Sequence, residues 1–273
     1  MRGMEQLIND FIEWAERDRL RSASTIRRYR SVLAQLIDMN IDPATADIEE
    51  IEDWWKTRYG MSAATRQNEL ACLRSFYGWM TRHDHRPDDP TRRLDAPKVD
   101  NELPRPIGRS DLMRALKACD EAGKPEIRRA IALGAYGGLR VAEAASMDWA
   151  DIDLDARMMY VRGKGRKERL AGLSPMLLDE IMPNLPRGNV VRAGGEPWRA
   201  DTLQRHVNRF FKSLGIDATF HKLRSRYVSQ AIAETGDIYA VARAAGWASI
   251  ETAQAYAALS DDALHRIAAA AAR

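Results

Sequence analysis

His221 and Arg224, in the run FHKLRSRY, lie three residues apart and share a face if that run is helical. The pair suits a phosphate under attack: an imidazole moves a proton and a guanidinium offsets charge. Alone, it reads equally well as a structural pair. Arg140 follows Gly137, Gly138 and Leu139 in GGLRVAEAASMDWADID. At a helix start its fork can meet a phosphate beside a favourable dipole. Glu143, one turn on, could hold the region in place, although a plain surface pair fits too. Lys164 stands between Gly163 and Gly165, among Arg157, Arg162, Arg166, Lys167 and Arg169. Glycines let a turn approach another surface closely, and such a basic ribbon could enter a DNA groove. A soluble basic turn is the plain alternative. Trp247 offers one indole N–H, and Tyr256 follows nine residues later; either ring would otherwise be assigned to a core.

The chain has no nucleotide P-loop, dinucleotide-binding fingerprint, HExxH or Gly-x-Ser-x-Gly. Its two cysteines, Cys72 and Cys119, are too few for a disulfide framework or a cysteine-based zinc site. No aspartates show two-metal spacing. The remaining set of arginines, a lysine, a histidine and a tyrosine suits electrostatic holding of a phosphodiester with an oxygen nucleophile.

Helices must position these groups. Leu7, Ile8, Phe11, Ile12 and Ala15 fall on one helical face. A second helix is expected after Ser24 as N-cap, with Ile26, Tyr29, Leu33 and Leu36 inward. A third covers 48–59 and a fourth 64–82, which together predict a small helical bundle. Five of the eleven prolines lie between Pro87 and Pro106, so an extended linker is expected there. It divides the chain into residues 1–86, a linker at 87–107 and a second domain at 108–273. The second domain is mixed. Helices are expected at 110–122, with Ser110 or Asp111 as cap, and at 126–137 and 140–147. A β-hairpin is expected within 153–173. Ser174 and Pro175 open the next helix, and others cover 201–214, 221–234 and 237–246, with Gly246 as C-cap. The fold class is therefore mainly α with a small hairpin.

The 273 residues carry a net charge of only +3, which excludes a uniformly basic tail protein. No apolar run approaches a membrane span, and the N-terminus does not read as a signal peptide, so a cytoplasmic protein is expected. Residues 1–86 hold 13 basic and 14 acidic side chains, yet six arginines fall between Arg17 and Arg30. Segregation of this kind can create a basic face or simply a salt-bridged surface.

Taken together, the ordered set resembles the tyrosine recombinases, the phage integrase and Xer family, over nearly the whole chain. The family's Arg, Lys, His-x-x-Arg, His or Trp, Tyr series corresponds to Arg140 in GLRVAE, Lys164 in GKGRKERL, and His221 and Arg224 in HKLR. It continues with Trp247 in AGWAS and Tyr256. The spacings agree: 24 residues from Arg140 to Lys164, 23 from Arg224 to Trp247 and nine more to Tyr256. STIRRY, TRQNELACLRSFYGWM and the proline-rich stretch look like the family's core-binding domain and connector. Trp247 replaces the commoner histidine, Phe220 a frequent proline, and Ser225 and Arg226 a His-Thr pair. The segment 248–259 departs from Xer proteins toward mobile-element enzymes.

The resemblance implies a two-domain clamp on duplex DNA, a SAM-like helical core-binding domain plus an α+β catalytic domain. It implies a 3′-phosphotyrosyl intermediate made by Tyr256. His221 assists as base, Arg140 and Arg224 hold the non-bridging oxygens, Lys164 protonates the leaving 5′-oxygen, and Trp247 donates to the phosphate. Neither cofactor nor metal is implied. Arg27, Arg28, Arg30, Arg66, Asn68, Arg162 and Arg166 are candidate DNA contacts. The implied partners are a recombination site, three further copies of the chain in a tetramer, and an accessory directionality factor. The tail at about 260–273 is expected to be a docking helix, with a degradation signal as the alternative. A phage- or mobile-element-encoded integrase in a prokaryotic cell is the expected role. The other readings are a Xer-type chromosome-dimer resolvase, a type IB topoisomerase and a catalytically silent DNA-binding relative.

Overall fold

The computed structural model describes residues 3–99, 104–163, 168–182, 188–193, 196–247 and 249–257. It forms two compact units, Met1–Asn101 and Glu102–Arg273. It is mainly helical with a small antiparallel sheet. No helix among the described residues is long and apolar enough to cross a membrane.

Among the described residues, the first unit has four α-helices: α1 Met4–Arg17, α2 Ala23–Asp38, α3 Ile48–Lys56 and α4 Ala63–Arg82. Their apolar stripes meet in a core built on Phe11, Leu33, Ile51, Trp54, Leu70, Phe76 and Tyr77. Side chains satisfy the open N–H groups of three helices. Asp47 and Glu50 form a reciprocal capping box on α3, and the Ser62 hydroxyl accepts from Thr65 on α4. On α2 the cap is Ser22, whose hydroxyl accepts from the Thr25 N–H, rather than Ser24, which lies exposed in the first turn. The proline-rich stretch differs from an extended linker over its first part. Pro90–Arg93 forms a 3-10 turn, and Pro90, Thr91 and Leu94 are buried. Arg86 is buried just before it, donating to the Pro43 and Ala46 carbonyls and pairing with Asp88. These bonds give the segment a place in the core that composition does not show.

The second unit is built around α6 Pro125–Ala135, which is buried along most of its length. Around it lie α5 Arg109–Glu121, α8 Pro175–Ile181, α9 Ala200–Ser213 and α10 Phe220–Thr235. Gly108, not Ser110 or Asp111, occupies the N-cap of α5. Gly134 lets α6 approach α10 closely: a Cβ there would stand 3.0 Å from Leu223 Cβ. The sheet has the order β1-β2-β3, from Ile152–Asp153, Met158–Arg162 and Glu168–Gly172. The expected hairpin is β2–β3, with Val161 opposite Arg169, and β1 adds a short third strand. A second, two-stranded ribbon pairs β4 Arg192–Ala193 with β5 Glu196–Pro197. The described residues of this unit also form the short helices α7 Val141–Ser146, α11 Ile238–Ala245 and α12 Glu251–Ala257. Cys72 in the first unit and Cys119 in the second are buried free thiols.

A candidate phosphate-binding active site

Arg140 is the N-cap residue of α7. Glu143, one turn on, accepts from its backbone N–H at 2.8 Å and from its guanidinium at 2.9 Å. Glu143 is buried, yet it also receives both ends of the Arg169 fork, at 2.8 and 2.9 Å. Burial alone would raise its pKa. The hydrogen bonds from Arg169 and Arg140 outweigh burial and hold the carboxyl at about 2. Glu143 is therefore an anion at any physiological pH.

Arg224 projects from α10 into the same cluster and is only 3% exposed. It donates to the Gly138 carbonyl and to the Ala245 carbonyl that ends α11, and stands 3.9 Å from Glu143. Burial, then the neighbouring charge of Arg140, lowers its pKa to about 10, so it stays cationic at neutral pH. Arg140 reaches across to the Gly246 carbonyl at 3.0 Å. Three arginines thus share one carboxylate, which leaves the cluster with surplus positive charge. That surplus suits an anion, and one that gains charge during reaction still better.

His221 stands one turn before Arg224 on α10, at the exposed side of the cluster. Partial desolvation, then Arg224 and Arg140, hold its pKa below the usual 6.5. It is therefore a neutral imidazole near pH 7, able to accept a proton.

Gly246 ends α11 in the left-handed conformation, as the sequence pattern predicts. Trp247 follows, with the Arg224 guanidinium 5.6 Å above its ring. The Trp247 ring stacks on Tyr256 of α12 at 5.4 Å. Tyr256 is 5% exposed, in a small core with Val228, Ile232, Val241 and Ala245. Its hydroxyl meets the Ser225 hydroxyl at 3.0 Å, and Ser225 lies 3.2 Å from the His221 carbonyl as donor. Ser225 therefore accepts the tyrosine proton's hydrogen bond.

The structure brings Arg140, His221, Arg224, Trp247 and Tyr256 together. Lys164 and Arg166 lie outside the described residues, as does the tail from 258. Among the candidate DNA contacts, Arg27, Arg28 and Arg30 are exposed along α2. Arg66 is instead stacked between Trp55 and Tyr59, at 4.7 and 4.8 Å. Asn68 donates back to the Ala64 carbonyl of its own helix, and Arg162 pairs with the largely buried Asp151. Sequence reasoning counted Arg169 only as one of a basic run. Its signal was its phase: in β3, Arg169 and Ala171 alternate inward while Leu170 points out.

Residues 107–263 match the phage integrase family. The tyrosine recombinase XerC of Corynebacterium glutamicum is 29% identical over 274 aligned residues, which cover 94% of this chain and 89% of that protein. XerC of Xylella fastidiosa is 26% identical, covering 93% and 92%. Among solved structures, a lambda integrase dimer bound to a COC' core site aligns with a TM-score of 0.76 at 19% identity, over 93% of this chain and 77% of that one. XerH site-specific recombinase bound to a palindromic difH substrate, in a post-cleavage complex, gives 0.73 at 18%, over 97% and 84%. These structural likenesses concern the fold, while the family match spans more than half the chain and takes in the whole arginine cluster with Trp247 and Tyr256. The chain belongs to the phage integrase family of tyrosine recombinases.

Proposed function

We propose that the chain is a site-specific DNA recombinase whose nucleophile is Tyr256. The observation that carries this reading is the cluster of Arg140 and Arg224 beside Trp247 and Tyr256, with His221 close enough to feel the charge of both arginines, around a buried carboxylate that leaves positive charge to spare. The Tyr256 oxygen attacks the scissile phosphorus as the bond to the 5′-oxygen breaks. The product is a 3′-phosphotyrosyl link and a free 5′-hydroxyl. His221 takes the phenolic proton and Lys164 supplies one to the leaving oxygen. Arg140 and Arg224 hold the non-bridging oxygens, and the Trp247 indole N–H donates to one of them. Tyrosine titrates near 10 in water, so the neutral imidazole and the cationic surroundings both favour its reaction. Because the Tyr256 hydroxyl rests on Ser225, attack requires that bond to be exchanged for the phosphate. A second 5′-hydroxyl reverses the step and joins new partners.

The partner is a duplex recombination site, held by both units in the prokaryotic cytoplasm, with four protomers in the working assembly. Exposed Arg27, Arg28 and Arg30 on α2 are the strongest candidates for phosphate contacts in the first unit. The similarity to XerC proteins over about nine-tenths of both chains supports a second role, resolution of chromosome dimers, beside integration of a mobile element. An accessory factor would set direction in the integrase role. The two roles separate by the DNA the protein recombines: an attachment site beside its own gene, or a single chromosomal site. The recombinase reading itself is tested with half-site DNA. The chain should form a protein–DNA adduct that resists denaturant, and Tyr256→Phe should bind the same DNA without forming it. An adduct retained by the phenylalanine variant would reject this nucleophile.

A further inference from the structure

Helix α11 ends in three consecutive carbonyls, those of Ala244, Ala245 and Gly246. Each accepts from a different arginine: Arg169 Nε at 2.8 Å, Arg224 Nη2 at 2.5 Å and Arg140 Nη2 at 3.0 Å. The last carbonyls of a helix lack intrahelical partners and carry the negative end of its dipole. Three guanidinium groups meet both needs there. Two of them belong to the phosphate-binding pair proposed above. Arg169 does not: its side chain is 12% exposed, with Nε on Ala244 and both terminal nitrogens on Glu143. The turn closes directly on it. Gly246 has φ +65°, and a Cβ there would stand 2.8 Å from Arg169 Cδ.

We propose that Arg169 is a positioning residue for DNA cleavage, fixing Glu143 of α7 and the end of α11 to strand β3 so that Arg140, Arg224 and Trp247 are held in register for the phosphate. This rests on the reading of Arg140 and Arg224 as phosphate ligands. Both Glu143 oxygens are occupied while Arg169 is in place, and Arg224 stays 3.9 Å away. Without Arg169, the buried carboxylate keeps only its two bonds from Arg140 and draws the Arg224 guanidinium, now 3.9 Å away, onto itself and away from the phosphate. Lysine keeps the charge but offers one ammonium point, which cannot span Ala244 and both carboxylate oxygens.

The test compares wild type, Arg169→Lys and Arg169→Met in single-turnover adduct formation on half-site DNA. Each is measured with a normal scissile phosphodiester and with a neutral methylphosphonate in its place. Both variants should cleave the phosphodiester about 100-fold more slowly at saturating DNA. Their Kd for DNA should stay close to wild type. The loss should be much smaller on the methylphosphonate, because a neutral phosphorus centre has no charge for the arginines to hold. Equal loss on both substrates, wild-type rates, or loss of folding in both variants would assign Arg169 a purely structural role and overturn the proposal. If wild type leaves the methylphosphonate intact, the split between Kd and rate decides, and a rise in Kd matching the loss overturns it. Failure of the recombinase reading shows separately, as absence of any wild-type adduct or as an adduct that survives Tyr256→Phe.

Discussion

Glu143 is one carboxylate serving Arg140 and Arg169 in a buried setting, so its loss leaves guanidinium groups without their counter-charge. Glu143→Gln keeps the shape and removes the charge. It should cost about 3 kcal/mol of stability, read by denaturant unfolding. The pH dependence has a definite sign. A carboxyl held at about 2 against 4.5 in the unfolded chain stabilises the fold fully above pH 4.5. That contribution is lost as pH falls from 4.5 toward 2, and the glutamine variant should lack this part of the acid transition. His221 works in the opposite chemical sense. Its pKa lies below 6.5, so the proton-accepting form dominates at neutral pH. The adduct-forming rate should fall on acidification with a midpoint under 6.5, and the His221→Gln variant should lose that limb. Survival of the limb in His221→Gln would assign the base to another group.

At the scale of elements, what the sequence discloses follows from how local the cause is. Helix periodicity, the Ser174–Pro175 start and the Gly246 stop are set within a few residues, and each stands where the pattern puts it. Cap choice is also local but has near-equivalent candidates. Ser22 and Ser24 both precede the apolar stripe of α2, and only the backbone path shows that Ser22 meets the Thr25 N–H. Ser22→Ala should therefore cost about 1 kcal/mol and Ser24→Ala almost nothing, measured by thermal unfolding. Non-local causes are harder to see. That Pro90 to Leu94 enters a core depends on Arg86 finding the carbonyls of Pro43 and Ala46, some forty residues away. At the candidate site, Arg140, His221, Arg224, Trp247 and Tyr256 could be picked out as an ordered set through the family resemblance, each being ambiguous by itself. The partners that seat them could not, because Arg169 and Ser225 act through bonds to residues 26 and 31 positions away.

For the molecule as a whole, the small net charge of +3 hides an uneven distribution. Residues 107–273 carry +5, and six arginines cluster between Arg17 and Arg30 of an otherwise balanced first unit. Affinity for DNA should therefore fall steeply with salt, since each neutralised phosphate releases counterion. Replacing Arg27, Arg28 and Arg30 one at a time by alanine should each reduce the logarithmic salt slope by about one, with similar weakening on specific and unrelated DNA. A substitution that weakens only the specific complex would mark that arginine as a reader of bases.

The carbonyl ladder that ends α11 has a consequence for how such a site is mapped. Its three acceptors come from Ala244, Ala245 and Gly246, residues whose side chains contribute nothing to the bonds. Alanine scanning is silent at 244 and 245, which are already alanine, and at Gly246 an added Cβ would strain the turn and crowd Arg169 without removing the acceptor. Exchanges among small residues at 244 and 245 leave every acceptor in place. This half of the arginine seat is encoded in the path of the main chain, so the chemistry that addresses it is backbone editing. Removal of a carbonyl or weakening of its acceptor strength at one peptide unit would alter a single arginine's footing while leaving every side chain intact.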